Sequence, residues 1–164
     1  NIMTMKKFFL LCIALLSIVL FCACGSEDGA SAKAEGTYMT LRETNMVNLP
    51  PTIPFTPVKD RVTVKVKAVT DDMVDVTIPS MTYNFNGTDM VIPVFTIHNL
   101  PVLDAGKEGV IIPIHDFKEK VDNKDVIGKI EVEIEPDGEF DMDLTFKYGS
   151  MPFGLKQEYE SLRD

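Results

Sequence analysis

The sequence predicts an all-β domain, an eight-stranded antiparallel up-and-down barrel with imperfect closure. From Gly36 onward apolar and polar residues alternate, and no helical period persists. Turn residues punctuate the alternation, and most connections are short, as in barrels and sandwiches. Closure is favoured because an open sheet must protect its edges, whereas a barrel has none.

Tyr38 to Glu43 makes the first short strand. Asn45 to Asp60 then contains Pro50, Pro51, Pro54 and Pro57, which cannot donate to a ladder and predict a long extended loop. Arg61 to Thr70 alternates Val62, Val64, Val66 and Ala68 with Thr63, Lys65 and Lys67, a half-buried strand with one wet face. After the Asp71-Asp72 turn, Val74, Val76 and Ile78 alternate with Asp75 and Thr77. Asn86-Gly87 is the strongest hairpin signal, since both residues tolerate positive φ.

Met90 to Asn99 and Val110 to Phe117 are apolar enough to be strands covered at some positions on both faces. Ile130, Val132 and Ile134 against Glu131, Glu133 and Glu135 form an amphipathic strand. Pro136-Asp137-Gly138 turns it into Phe140, Met142, Leu144 and Phe146, opposed by Asp141, Asp143 and Lys147. Phe153, Leu155 and Gln157 make the last strand. The prolines in Ile78-Pro79, Ile92-Pro93, Ile112-Pro113 and Met151-Pro152 each remove a ladder donor. They predict bulges, strand ends or a partly open seam.

Ahead of this domain, Met5-Lys6-Lys7 precede an apolar run from Phe8 to Ala23, followed by Cys24 and a polar stretch. A charged start, an apolar middle and a small residue before the cut describe a secretory signal peptide, and the run is short for a membrane span. Asn1 to Thr4 read as an upstream extension. Cysteine directly after Ala23 resembles the lipobox of bacterial lipoproteins, which implies that Cys24 is the first mature residue and carries the lipid. Residues 1–23 are thus expected to be the signal, 24–35 a lipidated flexible tether, and 36–164 the barrel. The acidic Ser26-Glu27-Asp28 resembles lipoprotein surface-export signals, and an ordinary solvated linker has the same composition.

Composition narrows the function. The 164 residues carry 16 basic and 25 acidic groups, a net charge of −9, and losing Lys6 and Lys7 makes the mature chain more acidic still. Nucleic acid is excluded as a partner, because phosphate binding needs a positive footprint. All three cysteines (Cys12, Cys22, Cys24) lie at the start of the chain, so the body has no disulfide framework, cysteine nucleophile or thiolate metal site.

Gly36-Thr37-Tyr38, the stretch from Val74 to Met81, and Phe146-Lys147-Tyr148-Gly149-Ser150-Met151-Pro152-Phe153 resemble the calycin-like lipoprotein domains of gut bacteria. The resemblance covers about residues 35–162. It implies a lipocalin-like barrel on a lipid-anchored protein, usually without an assigned function. Tyr38 stands where true lipocalins carry tryptophan.

Several constellations bear on chemistry. A hairpin centred between Gly106 and Lys107 would set His98 opposite His115, close enough to share a metal. Zinc would need further ligands, such as Asp104 or Asp116, and the plainer reading is two polar residues that happen to pair. Asp141 and Asp143, with Glu131, Glu133 and Glu135, occupy the polar faces of amphipathic strands. That is the pattern of a solvated surface more than of an acid–base pair. No nucleophile-elbow, zinc-protease or phosphate-loop motif occurs, so no enzyme activity and no cofactor are expected.

The apolar inner residues would largely fill an eight-stranded barrel, or line a cavity for one small apolar ligand. A mouth, if present, would be covered by Asn45 to Asp60, with Ile53 and Phe55 as its contacts. The expectation is an exported lipoprotein anchored through Cys24 to the bacterial outer membrane, on its periplasmic or cell-surface face. It would carry a non-catalytic barrel that binds a small apolar ligand or an envelope protein. A structural lipoprotein without ligand, and an enzyme using carboxylates or the histidines, are the alternatives.

Overall fold

A computed structural model describes residues 29–162. Eight long strands form the predicted antiparallel barrel. They are β1 (Gly36–Val47), β2 (Val58–Thr70), β3 (Met73–Ile78), β6 (Phe95–Pro101), β8 (Val110–Val121), β9 (Lys124–Ile134), β10 (Phe140–Tyr148) and β11 (Gly154–Ser161). Their order in the sheet is β6-β3-β2-β1-β11-β10-β9-β8, with the two-residue β7 (Leu103–Asp104) beyond β8. Sequential strands pair and β11 returns to β1, which is up-and-down connectivity.

Closure fails only between β6 and β8, which lie side by side without a ladder. The backbone N–H of His98 donates across this seam to Glu119 Oε1 at 2.9 Å. A side-chain hydrogen bond here does part of what backbone pairing does elsewhere.

The alternation determines what is inside. Val64, Val66, Val74, Val76, Ile78, Ile97, Ile130, Val132, Phe140, Met142, Leu144 and Phe146 are all buried. Apolar inside and charged outside is the reverse of a membrane-spanning barrel, whose lipid face must be apolar. No described helix is long and apolar enough to cross a membrane.

Both ends of the barrel are covered. At one end α1 (Ala30–Ala34) packs with Ala34 and Ser31 buried, and Ser31 N–H donates to Asp71 O at 3.2 Å. Tyr38 fixes it further: its hydroxyl donates to Ala34 O at 2.8 Å and its ring stacks on Phe140 at 4.5 Å. The expected tether is therefore wrong from Gly29 onward. Ala30 to Ala34 are mostly good helix formers, but five residues are far too few for a helix to hold by itself, and docking on the barrel orders them.

At the other end a separate two-stranded sheet, β4 (Met81–Phe85) and β5 (Thr88–Ile92), sits over the opening. Asn86 and Gly87 take φ of 51° and 80°, the two positive values that the predicted tight hairpin turn requires. The expected single strand from Met90 to Asn99 is instead two, interrupted at Pro93-Val94. Pro79 and Pro93 stand at the two junctions between hairpin and barrel, where their missing N–H groups end the ladders. Pro113 falls in a register shift of β8 between Ile112 and His115, the bulge expected there.

Two other boundaries move. The first strand runs to Val47 and the second begins at Val58, so the proline-rich connection is shorter than Asn45 to Asp60. Polar side chains at Thr40, Arg42 and Thr44 had hidden the length of β1, because alternation with polar residues on the inner face has no hydrophobic signature.

Candidate functional site

The inner wall beneath the hairpin is polar. β1 pairs with β2 and β11 so that Arg42 lies between Asp60 and Tyr159, and Thr44 opposite Gln157. Thr40, Arg42, Thr44, Gln157 and Tyr159 are all buried, with the Arg42 side chain only 1% exposed.

Arg42 makes a fork to Asp60: Nε donates to Oδ1 at 2.9 Å and Nη2 to Oδ2 at 2.6 Å. Nη1 donates to Pro79 O and Nη2 to Ser80 O, each at 3.1 Å. Burial disfavours the charged guanidinium, but Asp60 and Tyr159 outweigh it and hold its pKa above the ordinary arginine value. Burial pushes the Tyr159 hydroxyl strongly up, so it stays protonated and donates to Gln157 Oε1 at 2.6 Å. Gln157 Nε2 reaches Thr44 Oγ1 at 3.3 Å and lies 2.8 Å from Met81 Sδ of the hairpin.

Around this network the hairpin is held by soft contacts. Tyr83 meets the Phe55 ring edge-on at 6.3 Å, and its hydroxyl points to Met151 Sδ at 3.5 Å. Phe85 lies 6.0 Å from Phe153. Phe55 therefore sits at the covered barrel end as a half-buried side chain, and Ile53, also half-buried, turns in the same connection with its N–H on Pro50 O.

The histidines do not form the expected facing pair. β6 pairs with β3, where His98 Nδ1 meets Asp75 Oδ2 at 2.9 Å, while His115 lies opposite Ile130 of β9. The intended hairpin between them is instead β7, a 3₁₀ turn (Gly106–Glu108) and the start of β8. Asp75 also accepts the N–H of Asn99, which takes a left-handed φ of 54° at this bulge.

The carboxylates are ranged along the outside of β9, β10 and β11. Asp141 lies between Glu133 and Glu160, and Asp143 between Glu131 and Glu158. Like charges directly opposite in a ladder repel. Partial burial, then Glu139, Glu160, Glu133 and Glu135, push the Asp141 carboxyl up to about 6. Burial followed by Asp143 and Glu133 raises Glu131, one of whose oxygens is buried without a hydrogen-bond partner.

A pKa raised on folding gives stability that is complete below the unfolded value and lost as pH rises through the folded one. For Asp141 the window runs from about pH 4 to 6. Asp141→Asn is thus expected to stabilise the protein at pH 8 by about 1 kcal/mol, after discounting a half-exposed group for solvent screening, and to change little at about pH 3, below the unfolded value. Urea denaturation at the two pH values reads the difference.

At the α1 end an open groove of about 550 Å³ is lined by Thr37, Tyr38, Asp137, Glu139 and Ser161 among others. Carboxylate oxygens of Glu135, Asp137 and Glu139 lie within 4.8 Å of one another beside it. This is the one group of three metal-ligating side chains close enough to share an ion among the described residues, and neither histidine belongs to it. Cys24 lies outside the described residues.

Arg42 was not among the expected site residues, because an arginine between Thr40 and Thr44 on a strand carries no motif and Asp60 lies 18 residues away. Only the strand register shows that they meet.

No family model matches the chain, and no curated protein matches it in sequence. Among solved structures it is similar to a "putative outer membrane protein" of Bacteroides fragilis NCTC 9343, with a TM-score of 0.66 and 17% identity. The match covers 84% of this chain but 54% of that one, so the chain spans about half of that protein. At this identity the likeness shows the fold alone: a nearly closed antiparallel β-barrel.

Proposed function

We propose that this protein is a lipid-anchored envelope lipoprotein whose calycin-like barrel is a non-catalytic binding module, with the hairpin-covered end as its binding end. The observation that carries the reading is the network of buried Arg42, Gln157 and Tyr159, with Asp60 at its rim, directly under a hairpin that is not laddered to the barrel. Charged and hydrogen-bonding groups are costly fillers for a core, and apolar side chains of similar volume would stabilise as well or better. Their presence at one end, beneath a separately folded cover, is the arrangement of a recognition site.

The envelope location rests on the signal-like start, Cys24 and the barrel shared with the Bacteroides protein. The carboxylates that resemble an acid–base pair lie on the outer face of the sheet in a row of like charges, which supports a non-catalytic role. Interior packing favours a second reading, a structural envelope lipoprotein without ligand.

Two measurements test this. Cys24→Ala should abolish fatty-acid labelling and move the protein out of the membrane fraction; unchanged fractionation and an unlabelled wild type would refute the anchor. The neutral dye N-phenyl-1-naphthylamine should bind saturably to one site, with its fluorescence enhanced. Linear, non-saturating fluorescence would leave the structural reading.

A further inference from the structure

The chemistry of the ligand can be read from what the hairpin places against Arg42, and this inference rests on the hairpin end being the binding end. Pro79 and Ser80, which connect β3 to β4, present two carbonyl oxygens to Nη1 and Nη2 of the guanidinium. Immediately beyond them Met81 is buried with its thioether against Gln157, and Tyr83 and Ile92 are buried on the same hairpin. Two oxygen acceptors on a guanidinium, followed by unbranched apolar bulk, have the form of an oxyanion with an alkyl chain.

We propose that β4–β5 is a lid, and that the strip Pro79–Met81 occupies in the closed barrel the place of a single-chain anionic amphiphile whose carboxylate binds Arg42. The lid has the mechanical freedom this requires. It shares no ladder with the barrel, and a proline stands at each junction. Its underside rests on methionine and aromatic contacts (Met81, Met151, Tyr83 with Phe55), which re-form in many geometries.

The exchange is favourable in kind. A carboxylate brings a full negative charge, and a two-oxygen geometry suited to the guanidinium, where the lid offers two carbonyl dipoles. Asp60 keeps the guanidinium charged and oriented while the lid is away, because its fork to Nε and Nη2 does not involve the hairpin. Asp60 lies at the rim, with its side chain 38% exposed, so water screens its repulsion of an incoming anion. The closed state excludes the ligand, so binding and lid displacement are one event.

Calorimetric titration of the full barrel with dodecanoate, dodecanol and dodecyltrimethylammonium, each below its micelle concentration, tests the proposal. Dodecanoate should bind one to one and at least tenfold more tightly than the other two. Arg42→Met should reduce that preference below threefold. Hydrogen exchange on the wild type gives a reading that does not depend on the variant folding: amides of residues 81–92 should exchange faster with dodecanoate bound.

Equal affinity for dodecanoate and dodecanol would overturn the anionic ligand while leaving a binding module in place. Dodecanoate binding with unchanged or slower hairpin exchange would overturn the lid. No binding of any amphiphile or of the dye would overturn this inference and the binding reading together.

Discussion

Arg42→Met is expected to lower the unfolding free energy by about 3 kcal/mol, near the low end for breaking a buried ion pair. The guanidinium is buried and directs hydrogen bonds to Asp60, Pro79 O and Ser80 O. Methionine fills most of the volume but donates nothing. Asp60 can turn to water, which keeps the loss below that of a fully enclosed carboxylate. The two carbonyls lose the donors that tie the hairpin connection to β1, and each unmet acceptor costs about 1–2 kcal/mol where water cannot reach it.

Arg42→Lys should fall between the variant and the wild type. It restores the charge but not the planar fork that reaches a carboxylate and two carbonyls at once. Urea denaturation of the three proteins at neutral pH gives the order. A methionine variant as stable as wild type would mean that the network is dispensable for the fold.

The second large effect is at Gly128, where alanine is expected to cost about 3 kcal/mol and lower the melting temperature by roughly 10 °C. Gly128 sits in β9 opposite Phe117 on one side and Phe146 on the other. A Cβ there would lie 2.1 Å from Thr145 O and 2.8 Å from Phe146 Cα, both backbone atoms of the neighbouring strand. Neither can move without separating β9 from β10, which are paired from Phe140 to Tyr148. Phe146 in turn packs 5.5 Å from Phe95 across the interior, so the disturbance reaches the seam strand β6. Thermal unfolding of Gly128→Ala checks this, and a loss under 0.5 kcal/mol would show that the two strands tolerate a local spread.

Much of the architecture was legible because it is written locally. A period of two with apolar residues on one side encodes a half-buried strand wherever the strand ends up. β2, β3, β9 and β10 have that pattern, and their inner residues are the expected ones. Turns were equally local: Asn86-Gly87 needs positive φ at both positions whatever the hairpin packs against. The prolines announced broken ladders correctly, since a missing N–H is missing in any context.

The exceptions share one cause: they depend on which distant segment lies opposite. Along β1 the sequence Thr40-Leu41-Arg42-Glu43-Thr44 would place Leu41 inward by hydrophobicity alone. Pairing with β2 and β11 instead directs Thr40, Arg42 and Thr44 inward, because a strand presents the same face as the partners in register with it. A one-residue slip would have exposed Arg42 and buried Leu41 and Glu43. The helix Ala30–Ala34 likewise exists only against Tyr38 and Asp71, and the histidines parted because β6 chose β3 as its partner.

The sequence by itself determined the all-β class, the number of barrel strands, several of the turns and the acidic, thiol-free character of the body. Alternation, turn chemistry and composition are properties of neighbouring residues. Only the tertiary structure decided that the hairpin covers one barrel end and that an arginine lies buried beneath it. Burial, register and ion pairing belong to residues brought together from distant parts of the chain.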